Sequence, residues 1–151
     1  MIDITVDVEK ILGASEGWDG ICVVFTQHTT CGVTVNENAD PDVQSDMLRF
    51  LRRLIPKDPI TASSDHPADA ASAPLLKPGG ELDTAGGEPF FKHAEGNSDA
   101  HIKSSLVGCS VTVPFENGKL LLGRWQGIYL CEFDGPRERK VIVSVMADAR
   151  R

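Results

Sequence analysis

The sequence predicts a single α+β domain. Residues 41–55 carry one amphipathic stretch at helical spacing, and most other apolar residues fall in short runs of strand length. At 151 residues and 41% hydrophobic content, the chain is long enough for one real core. No internal repeat or second domain is visible, so residues 1–151 read as one unit.

Ile2, Ile4, Val6 and Val8 alternate with Asp3, Thr5, Asp7 and Glu9, a strand pattern. Its last part, Val8 to Leu12, equally suits the start of a short helix. Gly13 to Gly20 reads as a turn region. Ile21-Cys22-Val23-Val24-Phe25 is a continuous apolar run and predicts a buried strand, with His28 just beyond its end. Val33-Thr34-Val35 resumes strand character.

Asp40-Pro41 opens the helix. Aspartate accepts from free N–H groups of the first turn, and proline fits the first helical position. Val43, Met47, Phe50, Leu51, Leu54 and Ile55 then share one face, predicted to be core, and Pro56 ends the element.

Residues 58–90 are rich in Pro, Gly, Ala and Ser and read as a long loop, with one helical turn near Asp69 to Ala73. His66 lies there and is expected to be solvated. Ala100 to Leu106 suits a short helix ended by Gly108. Ser110 to Phe115 is a strand, Asn117-Gly118 a hairpin turn, and Lys119 to Leu122 the partner strand. Residues 123–133 and 139–146 complete an expected antiparallel meander.

The formal net charge of −7 argues against a general nucleic-acid binder. No apolar run is long enough to span a bilayer, and the acidic start is unlike a signal peptide. A cytoplasmic protein is expected. Among the four cysteines no pair has CxxC spacing, and Cys22 and Cys131 sit in apolar runs as small core residues.

The polar stretch from Phe91 to Leu106 is where chemistry is expected. It holds His93 and His101, Glu95 and Asp99, Asn97 and Ser98, around Gly96. With His28 these histidines suit a catalytic divalent metal site, zinc above all, although imidazole also binds other metals. A hydrogen-bonding cluster without metal fits the same residues. Glu95 and Asp99 are candidate catalytic carboxylates, orienting a histidine or acting as general base. Asp99 equally suits a helix cap, and Asn97 and Ser98 are candidate substrate-binding groups. Lys103, Arg124 and Arg137 suit phosphate recognition, Trp125 offers a stacking face, and Gln126 adjoins it. Arg139 reads as a surface ion pair or a further phosphate contact.

The segments Thr26–Gly32, Asn36–Asp42, His93–Leu106, Gly123–Ile128 and Glu132–Arg137 together resemble the YjbQ-type family, also called the secondary thiamine-phosphate synthase family. The resemblance runs in order through nearly the whole chain. It implies a β-sandwich-like α+β fold, a homotrimer, and a metal or anion site at His28, His93 and His101. It also implies thiamine-phosphate synthesis, which joins a pyrimidine diphosphate to a thiazole phosphate with loss of pyrophosphate. Magnesium usually accompanies pyrophosphate, whereas three histidines favour zinc. Two departures stand out: family members usually carry a further strand upstream, and residues 58–90 read as an insert. The alternatives are a metal-dependent hydrolase of a small phosphorylated compound and a non-catalytic trimeric binding module.

Overall fold

The computed structural model describes residues 1–57 and 91–149. The expected loop at 58–90, the turn near Asp69 to Ala73 and His66 lie outside the described residues. In chain order the elements are β1 (Ile2–Asp3), α1 (Thr5–Leu12), a 3-10 turn (Gly13–Ser15), β2 (Trp18–Thr26), β3 (Cys31–Glu37) and α2 (Pro41–Leu54). Then follow α3 (Ser98–Val107), β4 (Ser110–Glu116), β5 (Lys119–Leu120), β6 (Gln126–Glu132) and β7 (Val141–Ala149).

The strands form two antiparallel sheets, one ordered β1-β6-β3 and the other β5-β4-β2-β7. Inward residues of both make the core: Cys31, Val33, Ile128 and Leu130 from the first, Cys22, Val24, Val113 and Phe115 from the second, with Val8 and Leu12 of α1. Alternate residues of each strand point to opposite faces, so each sheet lends every second side chain to this layer. The α+β class and the sandwich-like architecture are as expected.

The details differ in several places, beginning with β2, which takes in Trp18 to Gly20 from the expected turn region. The alternation at residues 2–8 is helical beyond Asp3. Thr5, Val8 and Leu12 form the buried stripe of α1, while Ile2 and Val6 stay exposed, so half of the apparent strand face never meets the core. The run Ile21–Phe25 is buried on one face only, with Ile21 and Phe25 on the outside of the sheet. No residue of α2 is fully buried, and Phe50 is 54% exposed, so the apolar stripe of this helix lies outside the core instead of in it. Finally, the C-terminal strands are not a meander. The β4–β5 hairpin turns at Asn117 and Gly118, both at positive φ as such a turn requires, but β6 enters the other sheet and β7 pairs with β2.

The start of α2 is as expected: Asp40 accepts from Asp42 N at 2.9 Å, and Pro41 stands in the first turn. The helix α3 packs on β3 at Gly32. A Cβ there would come within 2.8 Å of Gly108 O and Val107 Cγ1, so only glycine admits the helix end this close. Ser104 Oγ donates to Cys31 O at 2.7 Å and fixes the same contact, which sets the position of His101. No described helix is long and apolar enough to cross a membrane.

Candidate functional site

Three segments converge at one end of the sandwich. The β2–β3 connection supplies Gln27, His28, Thr29 and Thr30. The turn before α3 and its first residues supply Glu95, Asn97 and His101. The β6–β7 connection supplies Asp134, Arg137 and Arg139. Together they line a cavity of about 240 Å³. Strand ends are natural places for such a site, because the ladder stops there and side chains must take over its hydrogen bonds.

The side chains hold one another. Asn97 Nδ2 donates to Asp134 Oδ2 at 2.8 Å and to Glu95 Oε2 at 3.4 Å. Both partners are carboxylates, so this edge of the amide must be the nitrogen. Asn97 Oδ1 is buried and has no partner among the described residues. Arg137 pairs with Asp134 Oδ2 at 2.9 Å and keeps an exposed side chain. Arg139 has a side chain only 9% exposed: it binds both oxygens of Glu132 and donates to Thr30 Oγ1 at 2.9 Å. Burial alone would raise the pKa of Glu132. The hydrogen bonds from Arg139 and from Asp134 N outweigh this and hold its carboxyl below the ordinary range. The same bond to Glu132 raises Arg139. Arg137 is paired with Asp134 and Arg139 with Glu132, and Glu95 adds a third carboxylate, so the surroundings of the cavity are not basic.

A second hollow of about 440 Å³ adjoins the first, lined by Phe91, His93, Ser98, His101 and Ile102. His101 belongs to both. The rings of His93 and His101 meet edge to face with centroids 5.5 Å apart, and His93 Nε2 lies 3.9 Å from Glu95 Oε2. Gly96, at φ of 67°, lets the chain turn between these groups, with its N–H donating to His93 O at 3.1 Å.

The structure thus gathers His28, Glu95, Asn97, His101 and Arg137 at one cavity, and His93 and Ser98 at the neighbouring hollow. Asp99 and Lys103 are elsewhere: they form a buried pair along α3 at 2.6 Å, with Lys103 lining a separate small void beside Leu51 and Phe133. Arg124, Trp125 and Gln126 lie at the opposite end of β6 from Glu132. There Arg124 stacks on Trp125 at 4.6 Å, and Gln126 Oε1 accepts from Gly123 N at 2.8 Å. Thr30 and Asp134 have site roles that residue type alone did not assign, whereas Arg139, read as an ion pair or a phosphate contact, lines the cavity while paired with Glu132. The signal for Thr30 and Asp134 was position, at the polar ends of two apolar strands.

The metal expectation meets an obstacle in the geometry of the chain. His28 Nε2 accepts the backbone N–H of Lys140 at 2.7 Å. Among the described residues no three His, Cys, Asp or Glu side chains converge on a point that would hold an ion. As they stand, the three imidazoles do not form a ligand set.

Fold and site define a two-sheet α+β protein with a polar cavity at the strand ends. The chain belongs to the YjbQ family: a family model described as UPF0047 protein YjbQ-like matches residues 1–77 and 81–148. The match runs through most of 58–90, leaving only 78–80 unmatched between its parts. The UPF0047 protein YugU of Bacillus subtilis is 44% identical over 146 residues, covering 97% of this chain and 89% of that protein. A UPF0047 protein of Methanocaldococcus jannaschii is 43% identical over 148 residues, covering 98% and 86%. Among solved structures, an uncharacterised YjbQ/UPF0047 protein of Clostridium acetobutylicum superposes with a TM-score of 0.72 at 45% identity, covering 96% of this chain and 89% of that one. A conserved hypothetical protein of Thermus thermophilus gives 0.69 at 39% identity, covering 96% and 90%.

Proposed function

We propose that the chain is an enzyme acting on a small phosphorylated ring compound, with thiamine-phosphate synthesis as the reaction. The observation that carries this reading is the shared position of His101. On one side lies a polar cavity sized for a phosphate or pyrophosphate group, on the other a hollow walled by Phe91 and Ile102 that suits a flat ring. In this reading the carbon–oxygen bond to the diphosphate breaks, the thiazole nitrogen bonds that carbon, and pyrophosphate leaves. Arg137, exposed and held among the described residues by the side chain and carbonyl of Asp134, is the cation that meets the leaving group. Arg139, largely shielded and locked by Glu132 and Thr30, shapes the wall. Cations so placed act by stabilising charge that develops as the bond breaks. His101 is the candidate proton donor to the departing oxygen.

The test is pyrophosphate release from the pyrimidine diphosphate in the presence of the thiazole phosphate. Arg137→Ala and His101→Ala should each lower turnover about 100-fold. Release of phosphate from either substrate alone would favour the hydrolase. Tight binding of both without any release would favour the binding module.

A divalent metal, zinc or magnesium, is a second reading, favoured by the proximity of the His93 and His101 rings. Elemental analysis of the purified protein, before and after dialysis against a chelator, tests it.

A homotrimer is part of the proposal. Ile21 and Phe25 of β2 pair with Met146 and Ile142 of β7, and all four share the outer face of the sheet with 36–56% exposure. Such a face is what a second copy would cover. Sedimentation at micromolar concentration tests it, and monomer alone would count against it. A cytoplasmic location goes with this reading, consistent with four free thiols.

A further inference from the structure

The bond between His28 and Lys140 settles the state of a ring at the cavity wall. A backbone N–H can only donate, and that of Lys140 points at His28 Nε2 from 2.7 Å. Nε2 therefore carries the lone pair, and the proton of the neutral imidazole sits on Nδ1. A metal ion needs a free lone pair, and this ring has already committed its own.

The bond also has a mechanical role. The β2–β7 ladder ends at Thr26 and Val141. The next N–H along the chain, that of Lys140, finds the His28 side chain rather than a backbone carbonyl. His28 in turn is steadied by its own N–H, which donates to Thr26 Oγ1 at 3.4 Å. The segment pinned in this way carries Arg137 and Arg139 into the cavity.

We propose that His28 is a positioning residue and a hydrogen-bond donor, not a metal ligand: Nε2 anchors the arginine-bearing segment, and Nδ1–H donates to an anionic oxygen of the ligand. The donor role rests on the proposed phosphorylated ligand. The tautomer and the anchor do not.

The experiment uses the full chain with ¹⁵N-labelled histidine. Long-range proton–nitrogen spectra at neutral pH report which ring nitrogen is protonated, and loss of one spin system in His28→Gln assigns it. The expected result is an unprotonated Nε2 and a protonated Nδ1, unchanged by equimolar zinc chloride. A protonated Nε2, or a zinc-induced shift of either His28 nitrogen, would overturn the proposal. Exchange of the Lys140 amide tests the anchor. It should stay slow in His28→Gln, whose amide oxygen reaches as far as Nε2, and accelerate at least about tenfold in His28→Ala. Equal exchange in all three proteins would overturn the anchor.

Inorganic pyrophosphate is the probe for the donor. Its affinity should fall about tenfold in His28→Ala, the loss expected for one hydrogen bond to a charged group. Unchanged affinity would overturn the donor role. If the parent protein binds no pyrophosphate, the phosphorylated-ligand reading fails along with the donor role, while the tautomer and exchange results still decide the rest.

Discussion

Asn97 occupies the cap position of α3 but does not cap it; its amide reaches instead to Asp134, 37 positions further along the chain. The helix gives up a local bond so that two segments of the site are tied together. Among the described residues the Asn97 carbonyl is left buried without a partner. A bond from an amide to a carboxylate is worth more than one between neutral groups, which makes the tie a structural strut as well as a site feature.

The strut can be weighed directly. Asn97→Ala removes the donor and leaves Asp134 with Arg137 as its remaining side-chain partner. The expected loss is about 2 kcal/mol of unfolding free energy, read from the urea midpoint. An unchanged midpoint would mean that the tie carries no stability.

Asp99 and Lys103 form a second charged tie of α3, with side chains only 8% and 6% exposed. Removing one partner of such a pair leaves the other charge buried and uncompensated. Asp99→Asn should therefore destabilise the protein by about 3 kcal/mol. The double change Asp99→Leu with Lys103→Met should recover much of the loss. If Asp99→Asn melts like the parent, the ammonium has another partner.

The pair between Glu132 and Arg139 predicts a pH dependence of stability. The folded carboxyl of Glu132 lies below its ordinary value of 4.5. Its contribution is therefore complete above that value and is lost as pH falls through the lowered folded one. Thermal melts between about pH 3 and pH 7 should show a steeper acid arm for the parent than for Glu132→Gln. Parallel arms would remove Glu132 as the cause.

Thiol reactivity gives a test of the core. Cys22, Cys31 and Cys131 are fully buried, whereas Cys109 is exposed. Burial pushes the Cys131 thiol up to about 11, so almost none of it is thiolate at neutral pH. Iodoacetamide should modify one of the four cysteines in the native protein and all four in denaturant, counted by mass spectrometry. Rapid native modification of a second site would show that the sandwich opens.

By itself the sequence determined the α+β class, the boundaries of α2, the Asn117-Gly118 hairpin and the polar stretch around His101. These follow from local physics. Capping by Asp40, the turn preference of Asn-Gly and the cost of burying unpaired polar groups all act within a few residues. The family resemblance was likewise legible in contiguous motifs. Tertiary structure alone decided which half of an apolar pattern is buried. Ile21 and Cys22 look equally apolar, yet only Cys22 faces the other sheet, because a strand offers alternate residues to opposite sides. It also decided who meets whom at the site. Lys103 and Arg137 read alike as cations near a polar stretch, but Lys103 folds back on Asp99 within its own helix while Arg137 reaches the cavity beside Asn97. Partnerships such as His28 with Lys140 span more than a hundred positions. They exist only once two strands have paired, and no local pattern encodes that pairing.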